Sequence, residues 1–152
     1  MEICISAFSL NSPYYRHYGF YCDKETILEN KKAELAVLES SDIEFIKKNI
    51  YNPKTHYSQA FAIINKNLTK EELNKIADDV FKDSKFFSYI SMAIRFDELN
   101  KEYKGKVKSL GLIAKEEIIL HTSDMRELVS LMSDNSEDVS RLARLFYNLR
   151  RR

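Results

Sequence analysis

The spacing of apolar residues between positions 69 and 103 predicts two consecutive helices. In the first, apolar residues recur every three or four positions, while charged residues fill the opposite side. These apolar positions are Leu73, Ile76, Ala77, Val80 and Phe81. Thr69 and Glu72 have the spacing of a capping box, in which each side chain satisfies a free backbone donor of the first turn. Because neither helix can bury its apolar side alone, other helices must cover the pair.

The second helix of this pair is predicted to begin after Ser84 and to end at Gly105, because serine caps helices and glycine weakens them. Its apolar side contains Phe87, Ile90 and Ile94. The next predicted helix spans residues 110–121. Its inward positions are Leu110, Ile113, Ala114 and Ile118.

Helical spacing also describes the chain before residue 69. Asp23 is predicted to cap a helix over residues 24–39, and Ser41 with Glu44 to open a second one that stops at Asn52-Pro53. The inward positions of the first helix are predicted to be Ile27, Leu28, Leu35 and Leu38. Residues 55–66 fit a helix and a strand alike, so their structure stays open at this point.

These elements predict an all-α fold, a compact bundle of about six or seven helices in a single domain over residues 1–152. Only three glycines and two prolines occur, which fits helices joined by short connections. Residues 1–22 lack the helical period and are predicted to form a short extended arm on the bundle of residues 23–152. A chain of 152 residues can bury one core.

Composition and charge limit the classes of function that the chain can have. Lysine and arginine number 24 against 23 acidic residues, so the whole-molecule charge of +1 attracts neither nucleic acid nor an anionic membrane. Two cysteines, Cys4 and Cys22, indicate reduced thiols rather than a disulfide scaffold. No signal peptide or membrane-spanning run is visible, which predicts a cytoplasmic protein without a membrane partner.

Motifs for catalysis or cofactor binding are sparse. The histidines His17, His56 and His121 lie far apart and lack the spacing of metal ligands. His121, Ser123 and Asp124 contain the residue types of a triad, but their crowding at a helix start favours capping. We therefore predict a protein that is not an enzyme and has no cofactor and no metal site.

A lysine-rich stretch surrounds Gly105 and comprises Lys101, Lys104, Lys106, Lys108 and Lys115. Gly105-Lys106 lacks the upstream glycine and the following serine or threonine of a phosphate-binding loop. The stretch is therefore interpreted as a solvated loop.

Aromatic residues crowd the N-terminal arm, at Tyr14, Tyr15, Tyr18, Phe20 and Tyr21. Such a cluster can pack on the helical core, stack on bases or anchor a protein interface. Together with the balanced charge and the sparse catalytic motifs, it predicts a non-enzymatic protein–protein interaction module, a small subunit or adaptor of a larger assembly. The partner is unidentified, and a homo-oligomer is compatible with the pattern.

An alternative hypothesis is a DNA-binding regulator with a helix-turn-helix at about residues 124–149. A short helix, the polar turn at residues 133–136 and a longer helix match the lengths of that motif. Outward or terminal polar positions of the second helix would contact nucleic acid: Ser140, Arg141, Arg144, Asn148, Arg150, Arg151 and Arg152. Glu137 and Asp138 oppose this hypothesis, because they occupy the end of the helix that approaches phosphates.

Overall fold

The computed structural model describes residues 24–82 and 89–151. Within these ranges the chain forms nine α-helices and one short 3-10 helix, without a β-strand, so the all-α prediction is confirmed. The number of helices exceeds the predicted six or seven for two reasons. Residues 55–66 contribute a helix, and the second helix of the central pair is divided. The aromatic arm lies outside the described residues.

The chain divides into two compact units. The described part of the first unit is residues 24–69, and that of the second is residues 70–82 and 89–151. The single domain expected from the sequence stays a prediction.

The first unit consists of three helices, α1 (Lys24–Glu39), α2 (Ile43–Tyr51) and α3 (His56–Ile64). Both α1 and α2 pack against α3. Thr55 caps α3, because its hydroxyl oxygen accepts the Ser58 backbone N–H at 3.1 Å. The ambiguous stretch is therefore a helix. The core of the unit contains Ile27, Val37, Ile46, Ile50, Phe61, Ala62, Ile63 and Leu68.

The buried side of α1 differs from the predicted one. Leu28 and Leu35 are exposed, whereas Asn30 and Glu34 are buried beside Ile27. Glu34 is only 2% exposed, and its carboxylate accepts the Thr55 hydroxyl hydrogen at 2.5 Å. Burial of a polar group is tolerated when it is hydrogen-bonded. Hydrophobic spacing cannot predict the burial of Glu34, because its hydrogen-bond partner lies 21 positions away in the sequence.

Polar side chains also fix the helix ends of the first unit. Asp42 caps α2 instead of the predicted Ser41, because its carboxylate accepts the backbone N–H groups of Glu44 and Phe45. Asn65, just after α3, donates to the Val37 and Ser40 carbonyls at 2.8 Å each. These bonds satisfy carbonyls at the C-terminal end of α1, which lack partners within the helix.

The second unit contains six α-helices: α4 (Lys70–Lys82), α5 (Tyr89–Ile94), α6 (Lys101–Lys108), α7 (Leu112–His121), α8 (Met125–Leu131) and α9 (Glu137–Arg150). The 3-10 helix Phe96–Glu98 separates α5 from α6. As predicted, α4 starts directly after Thr69 and buries Leu73, Ile76, Ala77 and Val80. The predicted cap Ser84 lies outside the described residues. Helix α7 packs against α5 and α9, and α8 packs against α9.

The predicted helix stop at Gly105 is wrong. Gly105 lies inside α6, and the helix ends before Gly111, whose φ is +122°. The predicted lysine-rich loop is accordingly a helix. Lys104 and Lys108 lie over the Phe96 ring at 5.5 and 5.8 Å, distances typical of cation–π contacts. An isolated glycine inside a helix costs only about 1 kcal/mol relative to alanine, so Gly105 alone does not end α6.

The two glycines of this region should respond to alanine in opposite directions. A Cβ at Gly105 meets no atom within 4 Å, so Gly105→Ala should raise the free energy of unfolding by about 0.5–1 kcal/mol. Gly111→Ala should lower it by about 1–3 kcal/mol, because an alanine is strained at a φ of +122°. Urea denaturation of both variants measures the difference. Equal effects at the two positions would contradict these backbone conformations.

Asp97, in the 3-10 helix, accepts two hydrogen bonds from the residues that follow α7. Its carboxylate accepts the Thr122 hydroxyl hydrogen at 2.5 Å and the Ser123 backbone N–H at 2.7 Å. Because one carboxylate accepts both hydrogen bonds, it fixes the direction in which the chain leaves α7. The same segment positions α8, which begins three residues after Thr122.

Candidate interaction surface

The α8–α9 pair has the layout that the sequence predicted for residues 124–149. Asp124 caps α8 by accepting the Arg126 N–H, and Ser136 caps α9 by accepting the Val139 N–H. Hydrogen bonds to Arg126 lower the pKa of Asp124. In the turn, Lys115 of α7 donates to Asp134 at 2.7 Å and lowers the pKa of that carboxyl. The turn is therefore held by an ion pair with only limited solvent exposure.

Two of the seven predicted nucleic-acid contacts are engaged inside the protein. Ser140 is buried and donates to the Met132 carbonyl at 2.8 Å, so its predicted outward position is wrong. Arg150 is half-buried and donates to the Ile119 and Leu120 carbonyls at 2.8 and 2.9 Å. The exposed members of the set are Arg141, Arg144, Asn148 and Arg151, and Arg152 lies outside the described residues.

Helix α9 presents leucines where a DNA-reading helix would present polar groups. Leu145 is 52% exposed and Leu149 is 55% exposed. They are one turn apart, on the side of α9 away from the buried Val139 and Ala143. Helical spacing predicts that Leu149 faces inward together with Val139 and Ala143, and for Leu149 this prediction is wrong. Apolar side chains contact only the thymine methyl group among the base edges of the major groove, so this pattern departs from that of a typical recognition helix.

The outward side of α7 is also apolar. Ile113 is 65% exposed, and Leu112 and Leu120 are about half exposed, whereas Ala114, Ile118 and Ile119 are buried. The predicted inward positions Leu110 and Ile113 are therefore wrong. An α-helix buries one stripe, and α7 has more apolar residues than one stripe can hold.

Arg150 joins the C-terminal ends of α7 and α9. Its guanidinium binds carbonyls at the C-terminal end of α7, so the last turns of α7 and α9 are neighbours. Leu120 and Leu149 each lie next to this contact in sequence. We define the α7–α9 face as the exposed apolar residues of these helices together, which are Leu112, Ile113, Leu120, Leu145 and Leu149.

Charged residues flank the apolar residues of both helices. On α7, Glu116 and Glu117 follow Ile113 by three and four positions, so they share its side of the helix. On α9, Arg141 and Asp138 precede Leu145 by four and seven positions, so both lie on the side of the leucines. Arg141 forms an ion pair with Glu137, and His121 lies 3.3 Å from Glu117. The charge beside the leucines of α9 is therefore mixed.

A shallow groove of about 650 Å³ runs along α4 and α6. It is lined by Lys70, Glu71, Asn74, Lys75, Asp78, Asn100 and Tyr103. Asn74 bridges its walls by donating to the Glu98 carbonyl and accepting the Asn100 N–H at 2.9 and 2.7 Å. Burial and the bond to Asp78 raise the pKa of Tyr103 to about 12. Its phenol is therefore a neutral donor at ordinary pH, committed to a structural bond.

The described residues do not bring together a recognisable catalytic set. In residues 24–82 and 89–151, no group of three histidine, cysteine, aspartate or glutamate side chains could hold a metal ion. Asp124 caps α8 and Ser123 donates its N–H to Asp97, in agreement with the predicted capping role of that segment. Burial lowers the pKa of His56. Of the helices described, none has the length and apolar character needed to cross a bilayer.

Comparisons of the chain with protein-family models, curated protein sequences and solved structures give no match.

Proposed function

We propose that the protein is a non-enzymatic helical interaction module that binds a protein partner through the α7–α9 face. The observation that carries this proposal is the exposure of Leu145 and Leu149, which lie on α9 outside its buried stripe. Single exposed leucines are common on protein surfaces, but a group of them on adjacent helix ends is typical of an interface. The predicted interface residues Tyr14, Tyr15, Tyr18, Phe20 and Tyr21 lie outside the described residues, and their role stays a prediction.

The surroundings of the leucines favour a protein partner over nucleic acid. Ser140 and Arg150 are committed to backbone carbonyls, and Glu137 and Asp138 are exposed in the first turn of α9. Acidic groups at that position repel phosphates, whereas an apolar centre with charged edges is the usual composition of protein interfaces.

A photo-crosslinking residue at position 145 tests this proposal in the cells that make the protein. We expect a discrete protein adduct from position 145 and a several-fold weaker adduct, or none, from Lys75, an exposed position of α4. Leu149→Glu, introduced into the same chain, should reduce the adduct about tenfold, because it places a charge in the apolar centre of the contact. Mass spectrometry of the adduct measures the result.

Three outcomes would contradict the proposal: no adduct from position 145, an adduct with nucleic acid, or an adduct within the same molecule. The Lys75 control shows whether the crosslinker reports contact or only exposure. Circular dichroism of the Leu149→Glu protein shows that the helices are retained, which is expected because the side chain is exposed.

A further inference from the structure

We propose that the segment of the partner that lies on α7 is a basic amphipathic helix. Its apolar side chains contact Ile113 and Leu120, and its lysines or arginines lie beside Glu116 and Glu117. The inference rests on the proposed function, because it names the chemistry of the partner at the same surface. It is carried by the sign of the charges that border the apolar residues of α7.

The exposed side of α7 is an apolar stripe with one glutamate on each edge. Ile113 and Leu120 are seven residues apart, which is about two turns, so they lie in line along the helix. At about 100° per residue, Glu116 lies about 50° to one side of this line and Glu117 about 50° to the other. An apolar side chain that contacts the stripe therefore has a carboxylate on either side of it.

The one lysine of α7 is directed away from this stripe. Lys115 donates to Asp134 at 2.7 Å in the turn before α9, so its charge is already paired. His121 lies 3.3 Å from Glu117 and is the remaining side chain of α7 that can gain a positive charge. The exposed side of α7 is therefore acidic, and a cationic partner matches it.

The unpaired charge nearest the leucines of α9 has the same sign. Asp138 is exposed and precedes Leu145 by seven positions, so the two are in line along the helix. The charge of Arg141 is paired with Glu137. Arg144 is adjacent to Leu145 in sequence, and its side chain therefore leaves α9 about 100° away from that leucine. The α9 part of the face thus adds to the attraction for a basic segment.

A basic amphipathic helix satisfies both features of the surface. Its apolar side supplies the burial, and its lysines and arginines cover the edges with their aliphatic stems while their charges meet the carboxylates. The ten residues of α7 span about 15 Å, so a partner helix of about fourteen residues, about 21 Å long, covers the stripe. The same carboxylates repel nucleic acid and anionic lipid.

Three synthetic peptides of about fourteen residues test the sign and the pattern of the partner. The first has leucines at helical spacing between lysines, the second has glutamates in place of the lysines, and the third is a scrambled form of the first. Fluorescence anisotropy with the full chain should give at least about tenfold tighter binding for the first than for the second. Its affinity should fall as salt is raised. The scrambled peptide should bind several-fold more weakly, because its leucines cannot follow the stripe.

Charge reversal on α7 assigns the binding to this helix. Glu116→Lys with Glu117→Lys should weaken the basic peptide about tenfold and make the acidic peptide the tighter of the two. Glu71→Lys with Glu102→Lys changes the net charge equally at exposed positions of α4 and α6, and it should leave the preference for the basic peptide unchanged. Circular dichroism of both double variants establishes that they are folded.

The outcomes separate this inference from the proposed function. Equal binding of the basic and acidic peptides overturns the inference, as does equal weakening by the two double variants. In cells, Glu116→Lys with Glu117→Lys should reduce the adduct from position 145 several-fold. An adduct that persists or grows also overturns the inference, and the proposed function then stands with a partner of other charge. The proposed function itself fails when the original chain gives no protein adduct.

Discussion

Ile118→Ala is expected to lower the free energy of unfolding by about 2–5 kcal/mol, the usual cost of truncating a fully buried aliphatic side chain. Ile118 has no solvent exposure and lies on the side of α7 that packs against the second unit's core. Removal of its three carbon atoms leaves a cavity whose lining loses dispersion contacts. Urea unfolding followed by circular dichroism measures the loss.

Ile113→Ala in the same helix is the matched control. Ile113 is 65% exposed, so the same truncation should change the free energy of unfolding by no more than about 0.5 kcal/mol. It should instead weaken the crosslink from position 145, because Ile113 belongs to the α7–α9 face. A large loss of stability in the Ile113→Ala protein would show that α7 is rotated from the orientation described.

Arg150→Ala is expected to lower the free energy of unfolding by about 2–4 kcal/mol. The guanidinium donates to the Ile119, Leu120 and Thr122 carbonyls and lies 4.8 Å from the Phe146 ring. Hydrogen bonds that involve a charged group contribute about 1.5–3 kcal/mol each, and the partial exposure of this site reduces the sum. Without Arg150, carbonyls at the end of α7 lose their partners.

Arg151→Ala is the control that separates the loss of the Arg150 hydrogen bonds from the loss of one positive charge on α9. Arg151 is exposed and lies 5.7 Å from the Tyr147 ring, so its removal should cost less than about 0.5 kcal/mol. Arg150→Lys should fall between the two alanine variants, because an ammonium group cannot reproduce the planar fork that binds several carbonyls at once. Thermal unfolding of the three variants at one pH measures the order of their stabilities. Equal losses at positions 150 and 151 would exclude the bridging role.

The sequence predicted the helices better than the sides on which they pack. The bounds of α1 and the buried residues of α4 agree with the periodic pattern, because these are long segments with strong local signals. The orientation of α7 was wrong at Ile113. Apolar residues occur all around α7, so neighbouring helices decide which of them is buried.

Polar contacts between distant residues account for most of the remaining errors. Arg150 was predicted to contact nucleic acid, but its partners lie 28 to 31 positions earlier in the chain. Asn30 and Glu34 were not predicted to be buried, since their helical pattern carries no apolar signal. The α7–α9 face was missed for the opposite reason. Leucine and isoleucine at helical spacing predict a core, and the sequence alone does not distinguish a core from an interface.

The buried Glu34 couples the rotation of α1 to the start of α3. Leu28 and Leu35 lie about a quarter of a turn from the buried Ile27, on a side of α1 that also carries the exposed Lys31. Hydrophobic burial alone therefore distinguishes the two sides of α1 only weakly. The hydrogen bond from the Thr55 hydroxyl to Glu34 is possible in one orientation of α1, and Thr55 is also the residue that caps α3. One buried polar pair thus sets the rotational register of one helix and the first turn of another.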